Sequence, residues 1–549
     1  MALYDSQTKI WSSNNDSSIF NPKKSVGELI LYTLRRTPDK ICEISDDFGV
    51  TSTCDDILKR SIQVAEALKE DYGLKYGDVC SIVAKNNPEV SSVAFGCLFN
   101  GCSVNPMDVS FAQIDFDHMI GLTKPKIIFA ERSVIDKIRK SITKLGLSSR
   151  IFCFTGVNGE VAEGITPVKS FYFKNLDVSV EDYRSAFIKD TSKHIALIMC
   201  SSGTTGLSKG VCLSHAQVVS QSFRSLPMKA SDTTFTFSSI YWITGMITML
   251  SSTIEGAIRI ISTQNFSPEY YFKLIEKYKV THSFITPSMI AGMLQSKATS
   301  RVDLSSLKTC YVGGSYVLED LRASFEKYLG KDGKVIPGYG MTELGGVITF
   351  NLTGKPESVG VPLNETEVKI ISDDGILLGP EEKGEICLKS PYMFLGYYNN
   401  EEALKDVFDS DGWIRTGDLG YFDAEGYLFL SGRKKELIKY KNYQISPETL
   451  ETLIHEITGL TQVCAVAVEK NNLGTDFPAA VIVLPKDFKM SKKEVIKVLD
   501  EKLDDVKKLR GGVYFVENFP TTASGKVLRR AVKELANKLY QERQVDQSG

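Results

Sequence analysis

Through the first 350 residues, short apolar runs alternate with amphipathic stretches. Val79-Cys80-Ser81-Ile82-Val83-Ala84 has too little polar alternation for a half-exposed strand and predicts one buried on both faces. Glu89 to Asn100, directly after it, predicts a helix. Lys126 to Ala130 and Ala196 to Cys200 are further short strands bounded by turn-forming residues. Strands alternating with helices imply parallel sheets with covered faces, an α/β architecture.

Near Gly432 the pattern changes. Ser431-Gly432-Arg433-Lys434-Lys435-Glu436 is a charged break between apolar runs. Beyond it, Pro447 to His455 predicts a helix with proline in its first turn, and Ser491 to Leu503 one capped by Ser491. Val463 to Val468 and Ala479 to Leu484 predict strands. We therefore expect two domains, 1–432 and a small α+β domain 433–549. A small domain behind a charged pivot suggests movement.

Composition narrows the class. Over 549 residues, 65 Lys plus Arg oppose 67 Asp plus Glu, so no polyanion such as nucleic acid is expected as a partner. Eleven cysteines without any C-x-x-C pair fit neither a disulfide framework nor a zinc site; Cys97 and Cys102 are expected as buried thiols. The stretch from Ile240 to Ile261 is interrupted by Ser251, Ser252 and Glu255, so no integral membrane segment is expected. The start lacks signal-peptide character, and Asp546-Gln547-Ser548-Gly549 does not match the Ser-Lys-Leu peroxisomal address. The expectation is an intracellular, cytoplasmic protein.

The sharpest chemical signal is Ser201-Ser202-Gly203-Thr204-Thr205-Gly206-Leu207-Ser208-Lys209-Gly210, directly after a predicted strand. Closely spaced hydroxyls and backbone N–H groups suit phosphate oxygens, and Lys209 adds a cation. The spacing is not that of a Walker A loop, because only two residues separate Gly203 from Gly206. Further along stand Tyr311-Val312-Gly313-Gly314-Ser315, Gly338-Tyr339-Gly340-Met341-Thr342-Glu343 and Trp413-Ile414-Arg415-Thr416-Gly417-Asp418, with Arg433 fifteen residues after Asp418. Last comes Pro520-Thr521-Thr522-Ala523-Ser524-Gly525-Lys526.

In this order the motifs resemble the acyl-adenylate-forming superfamily of acyl-CoA synthetases, 4-coumarate–CoA ligases, beetle luciferases and peptide-synthetase adenylation domains. The luciferase-like and 4-coumarate–CoA-ligase-like branch is most similar, and the match runs from about Asn21 to Leu535. The resemblance implies a large N-terminal domain of parallel sheets flanked by helices plus a β-barrel-like subdomain, and a small mobile C-terminal domain. It also implies that ATP and a carboxylic acid form an acyl-adenylate and pyrophosphate, after which CoA takes the acyl group.

Ser201 to Gly206 and Lys209 would hold phosphates, and Gly314, Ser315, Gly338, Tyr339 and Gly340 the adenine. Thr342 would touch the α-phosphate, Glu343 hold Mg²⁺, Asp418 bind the ribose hydroxyls and Arg433 the ribose or phosphate. Lys526 would serve adenylation. Lys435 would be the hinge, Lys439 would serve the thioester step, and Lys441 would lie near CoA. Asn442 stands where close relatives usually have glycine, which crowds the CoA tunnel.

For the acid, the resemblance points to Trp242, Gly313, Met341 and Gly346. Trp242 takes the place of a histidine common in luciferases, as in many fatty-acid-activating relatives, and favours an apolar chain. A medium- or long-chain fatty acid is therefore expected, with an arylpropenoic acid as the other reading. The segment 218–231 lacks the Arg-containing turn that encloses luciferin. A luciferase-like oxygenase and a nucleotide-binding protein with little turnover are the alternatives; no obligate protein partner is expected.

Overall fold

The computed structural model describes residues 2–13, 21, 23–174, 179–201, 207–224, 226–405, 407–440, 443–469, 476–485, 488–522 and 526–548. Within it, the fully apolar runs form strands buried along their whole length: Val79–Val83 and Ile127–Ala130 expose no residue. Helices pack on both faces of such strands, which is why their sequences show no polar alternation.

Among the described residues, these strands belong to a seven-stranded sheet. Ile195–Ser201, Ser103–Met107, Val79–Val83, Ile127–Ala130, Arg150–Cys153 and Thr166–Pro167 are linked by parallel pairs, and Lys209–Ser214 adds an antiparallel edge. A second sheet of nine strands has the parallel run Lys334–Met341, Thr309–Val312, His282–Ile285, Thr233–Thr236, Ile258–Ile261 and Ile41–Ser45. The expected barrel-like subdomain takes the form of a six-stranded antiparallel sheet that includes Ile414–Phe422 and Leu428–Arg433. Trp11 ties the N-terminal hairpin to it, stacking between Tyr4 at 4.2 Å and Phe422 at 4.5 Å.

The C-terminal part has its own core, in which Leu450, Ile454, Val495 and Leu499 pack together. Helix Pro447–Thr458 begins at the Ser446 cap and runs three residues past the expected His455, ending at Gly459 with φ +76°. Helix Lys492–Lys502 is held by a reciprocal Ser491–Glu494 capping box. Helix Arg529–Ser548 closes the unit, and its Arg529 pairs with Glu436 at 3.2 Å and Glu451 at 2.6 Å.

All eleven cysteines are buried free thiols, Cys97 and Cys102 among them. No helix among the described residues is long and apolar enough to cross a membrane.

A buried ion pair links two neighbouring strands of the nine-stranded sheet. Glu43 and Arg259 face each other on adjacent parallel strands and are 3% and 6% exposed. Ser91, on helix Val90–Phe99, donates to Glu43 Oε2 at 2.8 Å. Removing the cation leaves a carboxylate stranded in the interior. Arg259→Leu is expected to lower stability by about 3–5 kcal/mol, read as a shift of the urea midpoint; an unchanged midpoint would contradict this role for the pair.

Candidate active site

Part of the chemistry-bearing set lies at the C-terminal ends of two neighbouring parallel strands of the nine-stranded sheet, where open α/β sheets place their ligands. Strand Thr309–Val312 runs into Gly313 and Gly314, and strand Lys334–Met341 carries Gly338, Tyr339 and Gly340. Strand Ile195–Ser201 ends at Ser201, opposite Lys209 on the returning strand. Ser202, Gly203, Thr204, Thr205 and Gly206 lie outside the described residues, as do Lys441 and Asn442.

At Gly340 the backbone requires glycine. A Cβ there would lie 2.2 Å from the Gly346 carbonyl oxygen, so the antiparallel return Gly346–Phe350 lies against strand Lys334–Met341 only because that position is bare. This close return positions the short helical turn Thr342–Leu344 between the two strands, with Glu343 on it.

Asp418 is the centre of the cluster. It is 7% exposed, yet it keeps two partners: the Tyr339 hydroxyl donates to Oδ2 at 2.6 Å, and Arg433 Nε approaches Oδ1 at 2.9 Å. Asp418 and Arg433 are directly opposed in the antiparallel ladder, so the register itself makes the pair. Each carboxylate oxygen retains acceptor capacity beyond these bonds. The Arg433 side chain is 45% exposed and presents the rest of its fork outward. Burial, with the Asp418 charge, pushes the Tyr339 phenol well above its ordinary range.

Lys526 reaches this cluster from the C-terminal part. Burial, chiefly, and the charge of Arg433 hold its ammonium below the usual lysine range, while Glu436 and Asp418 oppose that shift. Its backbone is fixed by Thr522, its N–H donating to Thr522 Oγ1 at 3.0 Å and its carbonyl accepting from Thr522 N at 2.7 Å. Lys439 is not among the groups that meet here; it stands exposed on strand Ile438–Tyr440, its amide donating to Asp476 at 3.0 Å. Lys435 is exposed in the turn after Arg433.

A second cluster surrounds Glu343. The Tyr397 hydroxyl donates to Glu343 Oε1 at 2.9 Å, and Lys209 Nζ lies 4.5 Å from the centre of the Tyr397 ring. Gln217 holds the Glu343 carbonyl at 3.0 Å. Tyr397 and Gln217 were not singled out from the sequence. Tyr397 sits in Phe394-Leu395-Gly396-Tyr397-Tyr398, a segment that pairs with the Lys209 strand through Tyr398 N to Gly210 O at 2.7 Å. Two aromatics after a glycine were the only local sign.

Trp242 caps helix Ile243–Glu255, half-buried and edge-on to Tyr241 at 4.7 Å between centroids. The helix start lies on the backbone of Ser238 and Ser239 so closely that a Cβ on Gly245 would be 2.1 Å from the Ser239 oxygen. Gly313 is buried beside Gly338, Gly314 and Ser315 are exposed, Met341 is half-buried and Gly346 buried.

The family described as AMP-binding enzyme matches residues 32–398, and that described as AMP-binding enzyme C-terminal domain matches 449–526. A relative named probable 4-coumarate–CoA ligase 1, from Dictyostelium discoideum, is 32% identical over 94% of this chain and 96% of its own length. The luciferin 4-monooxygenase of Nipponoluciola cruciata is 31% identical over 89% and 90%. Among solved structures, an anthranilate CoA ligase in complex with anthranoyl-AMP superposes with a TM-score of 0.84 at 21% identity, covering 95% of this chain and 98% of that one.

Tyr339→Phe keeps the ring and removes one bond to a buried carboxylate. Hydrogen bonds to charged groups are worth about 1.5–3 kcal/mol, and a loss in that range is expected in urea unfolding. A midpoint indistinguishable from that of the unaltered chain would show that Asp418 does not depend on this donor.

Proposed function

The chain belongs to the AMP-binding enzyme family, and from that premise we propose that it is an ATP-dependent acid–CoA ligase. The acid's carboxylate attacks the α-phosphorus of ATP, the bond to the bridging oxygen breaks, and pyrophosphate leaves. The CoA thiolate then attacks the acyl carbonyl and AMP leaves. The observation that carries this reading is the convergence of Lys526 from the C-terminal part on Asp418 and Arg433.

In this reading the remaining lone pairs of Asp418 accept from the ribose hydroxyls. Gly338, Tyr339, Gly340, Gly314 and Ser315 bound the adenine. Ser201, the 202–206 segment and Lys209 receive the phosphates, and Arg433 contacts ribose or phosphate. Thr342 and Lys526 act at the α-phosphate, where a carboxylate and a phosphate, both anionic, must approach each other. A cation about 4 Å away at an effective dielectric near 20 is worth roughly 4 kcal/mol, on the order of three decades in rate if realised in the transition state.

Glu343 fits a magnesium ion, a hard cation that takes few carboxylates. Its Oε1 is fixed by Tyr397, and Oε2 has no partner among the described residues. When bound with ATP, the ion would neutralise phosphate charge.

The second step needs another face of the C-terminal part. We assign Lys435 as the hinge between 1–432 and 433–549, Lys439 as the cation of thioester formation, and Lys441 and Asn442 to the CoA path. With Lys526 at the cluster and Lys439 away from it, the present arrangement corresponds to adenylation.

For the acid, the fatty-acid reading rests on Trp242. The name of the Dictyostelium relative supports the aryl reading instead.

Incubation with ATP, Mg²⁺, CoA and a graded set of acids, with AMP and acyl-CoA measured separately, tests the whole reading; oxygen-dependent light without acyl-CoA would favour the oxygenase. Lys526→Ala is expected to slow acid-dependent pyrophosphate exchange by about three decades while ATP still binds, and unchanged exchange would refute its role. Because Lys526 is pushed down, its cation is lost as pH rises through that lowered value. The adenylation rate should therefore fall at a lower alkaline pH than a solvated lysine would give, and Lys526→Arg should abolish that fall. An identical profile in both proteins would contradict the assignment.

A further inference from the structure

A rigid rod held at one point can still rotate about it, and a second hold away from that point removes the rotation. Helix Pro447–Thr458 of the C-terminal part has two such holds. Its start packs on the backbone at Gly432, where a Cβ would lie 2.6 Å from Ser446 Oγ and 2.8 Å from Glu448 Oε2. Its last turn carries His455, whose Nε2 lies 3.1 Å from Asp320 Oδ2. Glu448 and His455 are about 10 Å apart along the helix axis. The first hold is beside the charged turn after Gly432, next to the assigned hinge Lys435. The second is remote from it, and it is the one that fixes the rotation.

Both sides of the remote contact are stiff. Asp320 stands in the first turn of helix Glu319–Glu326. In that helix Arg322 pairs with Glu319 at 2.6 Å and Glu326 at 2.8 Å, and Glu326 Oε2 accepts from Val335 N at 2.8 Å. Val335 belongs to strand Lys334–Met341, whose far end carries Gly338, Tyr339 and Gly340. Asp320 also follows closely in sequence on the Gly313-Gly314-Ser315 turn, so it is tied twice to the elements assigned to adenine. Across the contact, His455 Nδ1 is 3.2 Å from the Leu460 carbonyl, which holds the ring from its other side. Both partners only accept, and each contact uses a proton on its ring nitrogen. Tyr316 extends the seam: burial raises its phenol, and Thr452, on the same helix as His455, acts against that shift.

The helix passes this hold on to Lys526. Its Glu451 pairs with Arg529 at 2.6 Å, and its Glu448 lies 3.6 Å from the same guanidinium. Arg529 stands three residues after Lys526. We propose that His455 and Asp320 are positioning residues that hold the C-terminal part in the adenylation arrangement, acting through this helix and Arg529 to keep Lys526 at Asp418 and Arg433. This rests on the ligase reading above and deepens it, because turning the C-terminal part to bring Lys439 in moves His455 away from Asp320. The Asp320 side chain is 81% exposed, and an ion pair so open to water shifts an equilibrium by only about twofold to fivefold. A contact broken in every turnover has to be weak, since a strong one would trap the first arrangement.

The test measures the two half-reactions separately, with 4-coumarate and dodecanoate as acids. One is acid-dependent ATP–pyrophosphate exchange; the other is acyl-CoA formation from the matching acyl-adenylate and CoA. Asp320→Ala, an exposed change outside the binding cluster, should lower the ratio of exchange to acyl transfer by about twofold to fivefold. His455→Ala should do the same, and the double variant should equal either single one, because all three remove one contact. An unchanged ratio in Asp320→Ala, an equal fall in both half-reactions, or effects that add in the double variant would overturn the role and leave the ligase reading standing. A second measurement combines Asp320→Cys with His455→Cys and joins the two thiols with a short bismaleimide, the eleven native cysteines being buried. The joined protein should keep pyrophosphate exchange and lose acyl transfer. Transfer at the unjoined rate, or loss of exchange as well, overturns the proposal even where an alanine variant folds poorly. Neither exchange nor acyl-CoA from the unaltered protein with any acid of the graded set would sink the ligase reading, and this proposal with it.

Discussion

The Asp418 carboxylate is the point on which the candidate site depends. One of its oxygens takes the hydroxyl of Tyr339 from the nine-stranded sheet, and the other takes Arg433 from the next strand of its own sheet. A buried carboxylate is tolerated only when it is paired and hydrogen-bonded. The Tyr339 bond also ties the nine-stranded sheet to the six-stranded one, while the Arg433 bond fixes neighbouring strands within the latter. Four residues on, Phe422 of the same strand stacks on Trp11, which anchors the far end of that strand to the N-terminal hairpin.

Around this anion the protein gathers cations from both parts of the chain. Asp418 chiefly holds Arg433 above its usual range, whereas burial, with the Arg433 charge, disfavours the charge on Lys526, and Glu436 and Asp418 only partly offset that. Such an arrangement is unfavourable alone and becomes favourable when a polyphosphate shares it, which is the electrostatic logic of a preorganised anion site. The C-terminal part can present Lys526 because Arg529, three residues on, is clamped by Glu436 and Glu451. The clamp joins the start of its last helix to the charged turn after Arg433.

The Glu343 cluster follows a different plan. Its carboxylate is oriented by a tyrosine that belongs to neither large sheet's regular strands, and the same ring faces Lys209. One aromatic side chain thereby sets the spacing between Lys209 and Glu343.

Much of this was legible in the amino-acid order. Buried strands such as Val79–Val83 show as unbroken apolar runs because both faces are covered, and the Ser491 cap shows because backbone N–H groups at a helix start need an oxygen. The residues Asp418, Arg433, Tyr339 and Lys526 were visible as ordered motifs. Their meeting was not, because it depends on strand register and on how the C-terminal part sits against the sheets. Tyr397 showed only as one of two aromatics after a glycine, and Gln217 not at all: a tyrosine or a glutamine acquires a chemical role only from partners brought to it across the chain. Sequence determined which chemistry the chain carries, since periodicity and capping are local. Only the tertiary structure decided which lone pair faces which proton, because hydrogen-bond direction is a property of packed neighbours rather than of chain order.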